Sequence, residues 1–272
     1  MSLGINRKFI RSSFMALGLC AFSLGLSQSA LANDKVVIKA AHAASTSNTG
    51  HLAFEFLGKE LAEKTDGRIT VEIFPSSQLG SERELVESIQ LGNVDMTFVS
   101  SAVLGAFNKQ FFALDIPFLF KDRAAVYRVL DGKIGQDLLA SLSKVGIKGL
   151  GYWENGFRQL TNSKKAIQSP DDLKGMKMRT MENEVHIAAW KEEGANPAPL
   201  AFGELFTALQ QGTFDAQEGD EKAVKAMTDV TIVELTPEQL EAFSSRMGPV
   251  QDMVKKRVGP EIVEAIIAEA NK

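Results

Sequence analysis

The sequence predicts an α/β protein of two lobes built on mainly parallel sheets. Strand-like and helix-like stretches alternate from Val36 onward, and the alternation restarts after Asn155 and Gly156. The intervening connections are long enough to carry the crossovers that parallel strands require.

Each element has its own local signal. "VVIKAA" is strand-like, and "HLAFEFLGKELAEKT" places Leu52, Ala53, Phe56, Leu57 and Leu61 on one helical face. "RITVEIF" alternates Ile69, Val71 and Ile73 with polar residues, "ERELVESIQLG" is a helix stopped at Gly92, and "VDMTFVS" is a third strand. "RAAVYRVL" and "IGQDLLASLSKV" have helical spacing and lead to a strand in "IKGLGYW". In the second half, "FRQLTN" is a strand, Ser169 and Pro170 start a helix with Asp171 and Asp172 in its first turn, and "MKMRT" is a strand. A helix is expected from near Glu182. "FGELFTALQQG" sets Phe202, Leu205, Phe206 and Leu209 at helical spacing before the strand "TFDAQE", and "TPEQLEAF" and "EIVEAIIAEANK" are helical. Trp153 and Trp190 are expected in core or hinge packing.

The first residues indicate export. Arg7, Lys8 and Arg11 precede the apolar run from Phe14 to Leu26, and small residues at Ala30 and Ala32 follow, so residues 1–32 predict a signal peptide cleaved after Ala32. The run is 13 residues long, short of the roughly 20 that cross a bilayer. Leu19 stands before Cys20 where a lipoprotein would want a small residue, which disfavours lipidation. The leader takes three cations and no acid with it, leaving 27 basic and 34 acidic residues and a net charge of −7. Such a chain lacks the cationic excess of a nucleic-acid binder, so no nucleic-acid partner is expected. Without Cys20 it has no thiol, which excludes disulfides, cysteine nucleophiles and thiolate metal sites.

Enzyme motifs are missing. "GLGYWE" has half of a dinucleotide loop but lacks its third glycine and an opening helix, and no phosphate-binding loop, zinc-protease helix or nucleophile elbow occurs. His42, His51 and His186 are not spaced as a helical metal pair. Neither a metal nor a cofactor is expected. For ligand binding, position favours His42 after the first strand and Ser100 and Ser101 after the third, because parallel sheets bind ligands beyond their carboxyl ends. Arg179 ends the apolar and basic alternation within "LKGMKMRTM", and read by itself it is a surface arginine paired to Glu182 or Glu184.

"FPSSQLGSERELVESIQLGNVDMTFVSS", "DLKGMKMRTMENE" and "GANPAPLAFGELFTALQQGTFDAQEG" resemble, in order, the solute-binding proteins of TRAP transporters, above all the dicarboxylate-binding DctP-type branch. The resemblance implies a periplasmic solute-binding-protein fold whose two lobes close over a small organic acid. It implies a monomer that hands its solute to an ion-gradient-driven TRAP permease and performs no chemistry. Residues 33–155 would form the first lobe, 156–218 the second, and 219–272 a C-terminal helical segment with one short strand. Arg179 matches the family's carboxylate-gripping arginine, which suits a planar guanidinium. Arg158 matches a second cationic position and Phe202 a pocket aromatic, although helical spacing equally fits Phe202 to plain core packing. Asn183, beside the arginine, is a further contact or a helix-start residue.

The sequence departs from the family after Glu218. A segment that in members completes the second sheet is missing there, which implies an internal deletion and an incomplete second lobe. Glu192 and Glu193 stand where members are apolar, which implies a packing cost. The reading that follows is a periplasmic receptor for a dicarboxylate, monocarboxylate or sugar acid. A deletion-compromised, non-binding member of the family and an exported α/β enzyme are the alternatives.

Overall fold

The computed structural model describes residues 34–220 and 232–272. The leader, its cleavage site after Ala32 and Cys20 lie outside the described residues. Two sheets organise the chain. In the first, β1 (Val36–Ala41) lies between β2 (Ile69–Phe74) and β3 (Met96–Thr97), all parallel. Helix α1 (Thr49–Lys64) makes the first crossover and α2 (Glu82–Gln90) the second. Asn48 caps α1, its side chain accepting the Gly50 N–H, and Ser81 and Glu84 form a reciprocal capping box on α2. Short α3 (Ser101–Leu104), a 3-10 segment (Lys109–Asp115), α4 (Arg123–Leu130) and α5 (Lys133–Ser141) follow.

The second sheet has the order β4 (Arg158–Asn162), β7 (Ala216–Asp220), β5 (Lys177–Thr180), β6 (Asn196–Pro199). Strand β5 is parallel to both neighbours, and β4 is antiparallel to β7. Helix α6 (Glu184–Glu192) connects β5 to β6, and α7 (Phe202–Gln210) connects β6 to β7. Helices α8 (Pro237–Ser244), α9 (Gly248–Val258) and α10 (Pro260–Ala270) end the chain. Val254, Val263 and Ile266 of the last two are fully buried and share an apolar cluster with Phe112, Val129 and Val185. The C-terminal helices therefore join α4, α6 and the 109–115 segment in one core.

Several elements differ from the sequence expectations. "IKGLGYW" forms no strand. Ile147 and Tyr152 pack instead in the cluster of Leu138 and Leu139 on α5, and the Tyr152 hydroxyl donates to the Gly135 carbonyl at 2.9 Å. Strand β3 is two residues long, because Phe98 leaves the ladder to stack on His42 with ring centroids 4.6 Å apart. Helix α1 buries Gly50, His51 and Phe54, whereas Leu52 and Phe56 of the expected apolar face are exposed. The helix is turned so that His51 and Phe54 meet His42 in an edge-on aromatic group. Ser169 and Pro170 start one 3-10 turn (Pro170–Leu173), capped reciprocally by Asp172, and no longer helix. Strand β6 was not expected, since "NPAP" carries two prolines; it lies at the sheet edge, where a missing N–H leaves no gap in the ladder.

The acidic pair at 192 and 193 has a structural cost. Glu193 caps the C-terminal end of α6, is 4% exposed, and among the described residues neither carboxylate oxygen has a hydrogen-bond partner. Burial pushes its carboxyl up to about 7, against the pull of Arg246 and with the help of Glu192. The carboxylate of α6's last turn also faces the negative end of the helix dipole. A carboxyl raised in the folded state favours folding while it is protonated, and that contribution is lost as pH rises from about 4.5 to about 7. Glu193→Leu is accordingly expected to add up to about 3 kcal/mol of stability at pH 8 and little at pH 4.5. Urea unfolding of both proteins at the two pH values checks it; an equal gain at both would contradict the assignment.

Candidate functional site

A narrow pocket of about 10 Å³, room for about one water as it stands, lies between the two sheets' connecting segments and is lined by Ser81, Glu82, Val103, Arg179, Met181, Glu182, Leu200, Ala201 and Phe202. Each lining group is placed by an element end. Ser81 and Glu82 open α2, Arg179 lies near the carboxyl end of β5, and Leu200 to Phe202 form the turn from β6 into α7. Strand β5 buries Met178, Arg179 and Thr180 in succession, so the arginine is held by a strand covered on both faces.

Arg179 is 3% exposed, which rules out the surface arginine paired to Glu182 or Glu184; Glu184 pairs with Arg257 at 2.8 Å. The Arg179 Nε donates to the Leu200 carbonyl at 2.8 Å. Among the described residues its two terminal nitrogens make no hydrogen bond, so the fork that would hold a carboxylate is unengaged. Burial pulls the guanidinium below the ordinary arginine range, with Glu218 acting against it and Arg158 adding to it. Glu82 Oε1 accepts the Ser100 N–H at 3.1 Å, and burial raises its carboxyl while that bond, Arg158 and Arg179 draw it back. Phe202 is 54% exposed and Leu205 takes the core position of α7, so plain core packing does not describe the aromatic.

The other expected residues lie outside the lining. Arg158, on β4, donates from a terminal nitrogen to Ser100 Oγ at 3.3 Å, and its other terminal nitrogen lies 3.9 Å from Glu218 Oε1. Ser100 caps α3 and Ser101 occupies that helix's first turn. Asn183 caps α6: its Oδ1 accepts the Val185 and His186 N–H groups, and its Nδ2 donates to Ala102 O and Asp115 Oδ2, both at 2.7 Å. His42 is fully buried beside Phe98, its Nε2 3.0 Å from His51 Nδ1, and burial followed by His51 lowers its pKa.

Behind the pocket lies a polar network with no signal in the sequence. His186 Nδ1 is 2.6 Å from Glu218 Oε1 and its Nε2 is 3.2 Å from Asp115 Oδ1. The Trp190 indole donates to Glu218 Oε2 at 2.9 Å. Burial acts to lower the His186 pKa, but the two carboxylates outweigh it and hold the ring protonated, with a pKa of about 9. Burial likewise acts to raise Glu218, and His186 holds it at about 2. The network joins the 109–115 segment to α6 and β7, and Glu218 Oε1 also accepts the Met181 N–H at 3.4 Å, two residues beyond Arg179. Among the described residues no cluster of histidine, cysteine and acidic side chains is placed to hold a metal, and no helix is long and apolar enough to cross a membrane.

Comparison with known proteins places these features in a wider group. Residues 40–227 match the family model described as bacterial extracellular solute-binding protein, family 7. A solute-binding protein of Verminephrobacter eiseniae is 51% identical over 64% of this chain, which spans 52% of that relative's length. The 2,3-diketo-L-gulonate-binding periplasmic protein YiaO of Escherichia coli is 34% identical over 94% of the chain and 76% of its own length. Among solved structures, the sugar acid binding protein DctPAm of Advenella mimigardefordensis in complex with galactonate aligns with a TM-score of 0.81 at 26% identity, covering 88% of this chain and 98% of that one.

Proposed function

The chain belongs to bacterial extracellular solute-binding protein family 7, and from that premise we propose that it is a periplasmic receptor for a small organic acid. It delivers a dicarboxylate, monocarboxylate or sugar acid to an ion-gradient-driven TRAP membrane permease, acts as a monomer, and captures its ligand without turning it over. The observation that carries this reading is Arg179, buried on a rigid strand with both terminal nitrogens unengaged beside a pocket. A guanidinium in that state suits a two-pronged bond to a carboxylate. Closure of the segment 33–155 against 156–218 would exclude the water that screens such a pair. Export through a leader cleaved after Ala32 completes the reading; an intact mass starting at Asn33 is expected for periplasmic protein, and a retained leader would contradict it.

A thermal-shift panel tests the ligand class. Organic acids should raise the melting temperature by mass action, about 2.7 kcal/mol of stabilisation at a hundredfold excess over Kd. Neutral sugars and amines should leave it unchanged. Stabilisation by those compounds and not by acids would sink the proposal.

A second reading is favoured by the surface. Phe56, Leu91, Leu150 and Phe206 are 65%, 75%, 71% and 76% exposed. An internal deletion after Glu218 would leave such faces bare and the receptor unable to bind. If so, no acid stabilises this chain, and a family-like insert restored after Glu218 recovers the response.

A further inference from the structure

We propose that the pocket selects hydroxylated monocarboxylates over dicarboxylates, and that Glu82 and Glu182 set this preference. The inference rests on the reading of Arg179 as the carboxylate grip, and it adds what surrounds that grip. The lining contains one cation and two carboxylates. Arg158, the other cation close by, does not line the pocket and is already engaged with Ser100 and Glu218. A ligand with one negative charge is matched by Arg179. A second ligand carboxylate would have no cation left among the lining residues and would face two acidic side chains.

The unused acceptors point the same way. Glu82 commits Oε1 to the Ser100 N–H, and among the described residues its Oε2 has no hydrogen bond. The Glu182 carboxylate has neither a hydrogen bond nor an ion pair among the described residues, although its charge acts on both Arg179 and Glu82. Carboxyl oxygens accept hydrogen bonds, so each of these groups offers a partner to a donor on the ligand. Hydroxyl groups supply donors and add no charge. Once the pocket widens to admit a ligand, the C–H face of a polyol chain would lie against Val103, Met181, Leu200 and Phe202. A site built to bond hydroxyls discriminates strongly against an analogue without them, because its own polar groups are then left unpaired.

Calorimetric titration of the purified protein at pH 7 with threonate, gluconate and succinate tests this. Threonate and succinate both have four carbons, so size does not separate them. At least one of the two hydroxylated acids should bind more than about tenfold tighter than succinate, a margin well within what hydroxyl recognition supplies. Glu82→Gln and Glu182→Gln should each shrink that ratio, by changing the groups that hydroxyls bond and that a second carboxylate would face. Equal or tighter succinate binding, or a ratio unmoved in both variants, overturns the selection. Arg179→Ala separates the two levels: if succinate prevails and its binding still needs Arg179, the receptor reading stands and the selection falls. If none of the acids binds a protein shown to be folded by its unfolding transition, both fall.

Discussion

Replacing Arg179 with alanine is expected to weaken acid binding by about two to three and a half orders of magnitude. Breaking a buried charge pair costs about 3 to 5 kcal/mol, and about 1.4 kcal/mol corresponds to a tenfold change in affinity. The side chain is 3% exposed and no terminal nitrogen has an alternative partner among the described residues, so no protein group stands in for it. Arg179→Lys retains the charge without the planar fork and should fall between wild type and alanine. An ion pair on the surface would be worth under about 1 kcal/mol, and both variants would then bind almost as wild type does. Titration of the three proteins, each shown to be folded, checks the order.

His186→Ala is expected to cost about 3 to 5 kcal/mol of stability, because it leaves Asp115 and Glu218 buried without their shared cation. Their side chains are 8% and 4% exposed, too little for water to replace the imidazolium. At this size the loss corresponds to a fall in Tm of roughly 6 to 20 °C. The pH dependence identifies the cause. His186 is raised in the folded state, so its contribution is complete below about 6.5 and lost as pH rises through about 9. Glu218 is depressed, so its contribution is present above about 4.5 and lost as pH falls towards 2. The Glu193→Leu protein should therefore lose stability between pH 6.5 and 9, and adding His186→Ala to it should remove that decline. A melting temperature unchanged by His186→Ala would show that the network does not hold the core.

Elements with a clean period were legible in the sequence. Strand β2 and helices α2, α4 and α7 formed where alternation or helical spacing placed them, with Ser81 and Gly92 bounding α2. Strand β6 was hidden by Pro197 and Pro199, whose tolerance depends on an edge position that only the assembled sheet provides. The burial face of α1 was misassigned because Phe54 and Phe56 are equally apolar, and the choice between them is made by His42 and Phe98, distant in sequence. At the pocket, Arg179 and Phe202 were marked by the family resemblance. Glu82 was masked by its place in a helix start, beside a genuine capping pair. The Asp115–His186–Glu218 network is built on bonds between residues 71 and 32 positions apart, and no local pattern encodes such a pairing.

The place where a ligand carboxylate binds is the most direct test of Arg179 as the grip. A crystal structure of the protein with the acid that stabilises it most should place the two carboxylate oxygens about 2.7–2.9 Å from the two terminal nitrogens of Arg179, in the parallel geometry of a charge-assisted pair. A ligand seated elsewhere, with the Arg179 fork turned to a protein group, would contradict it.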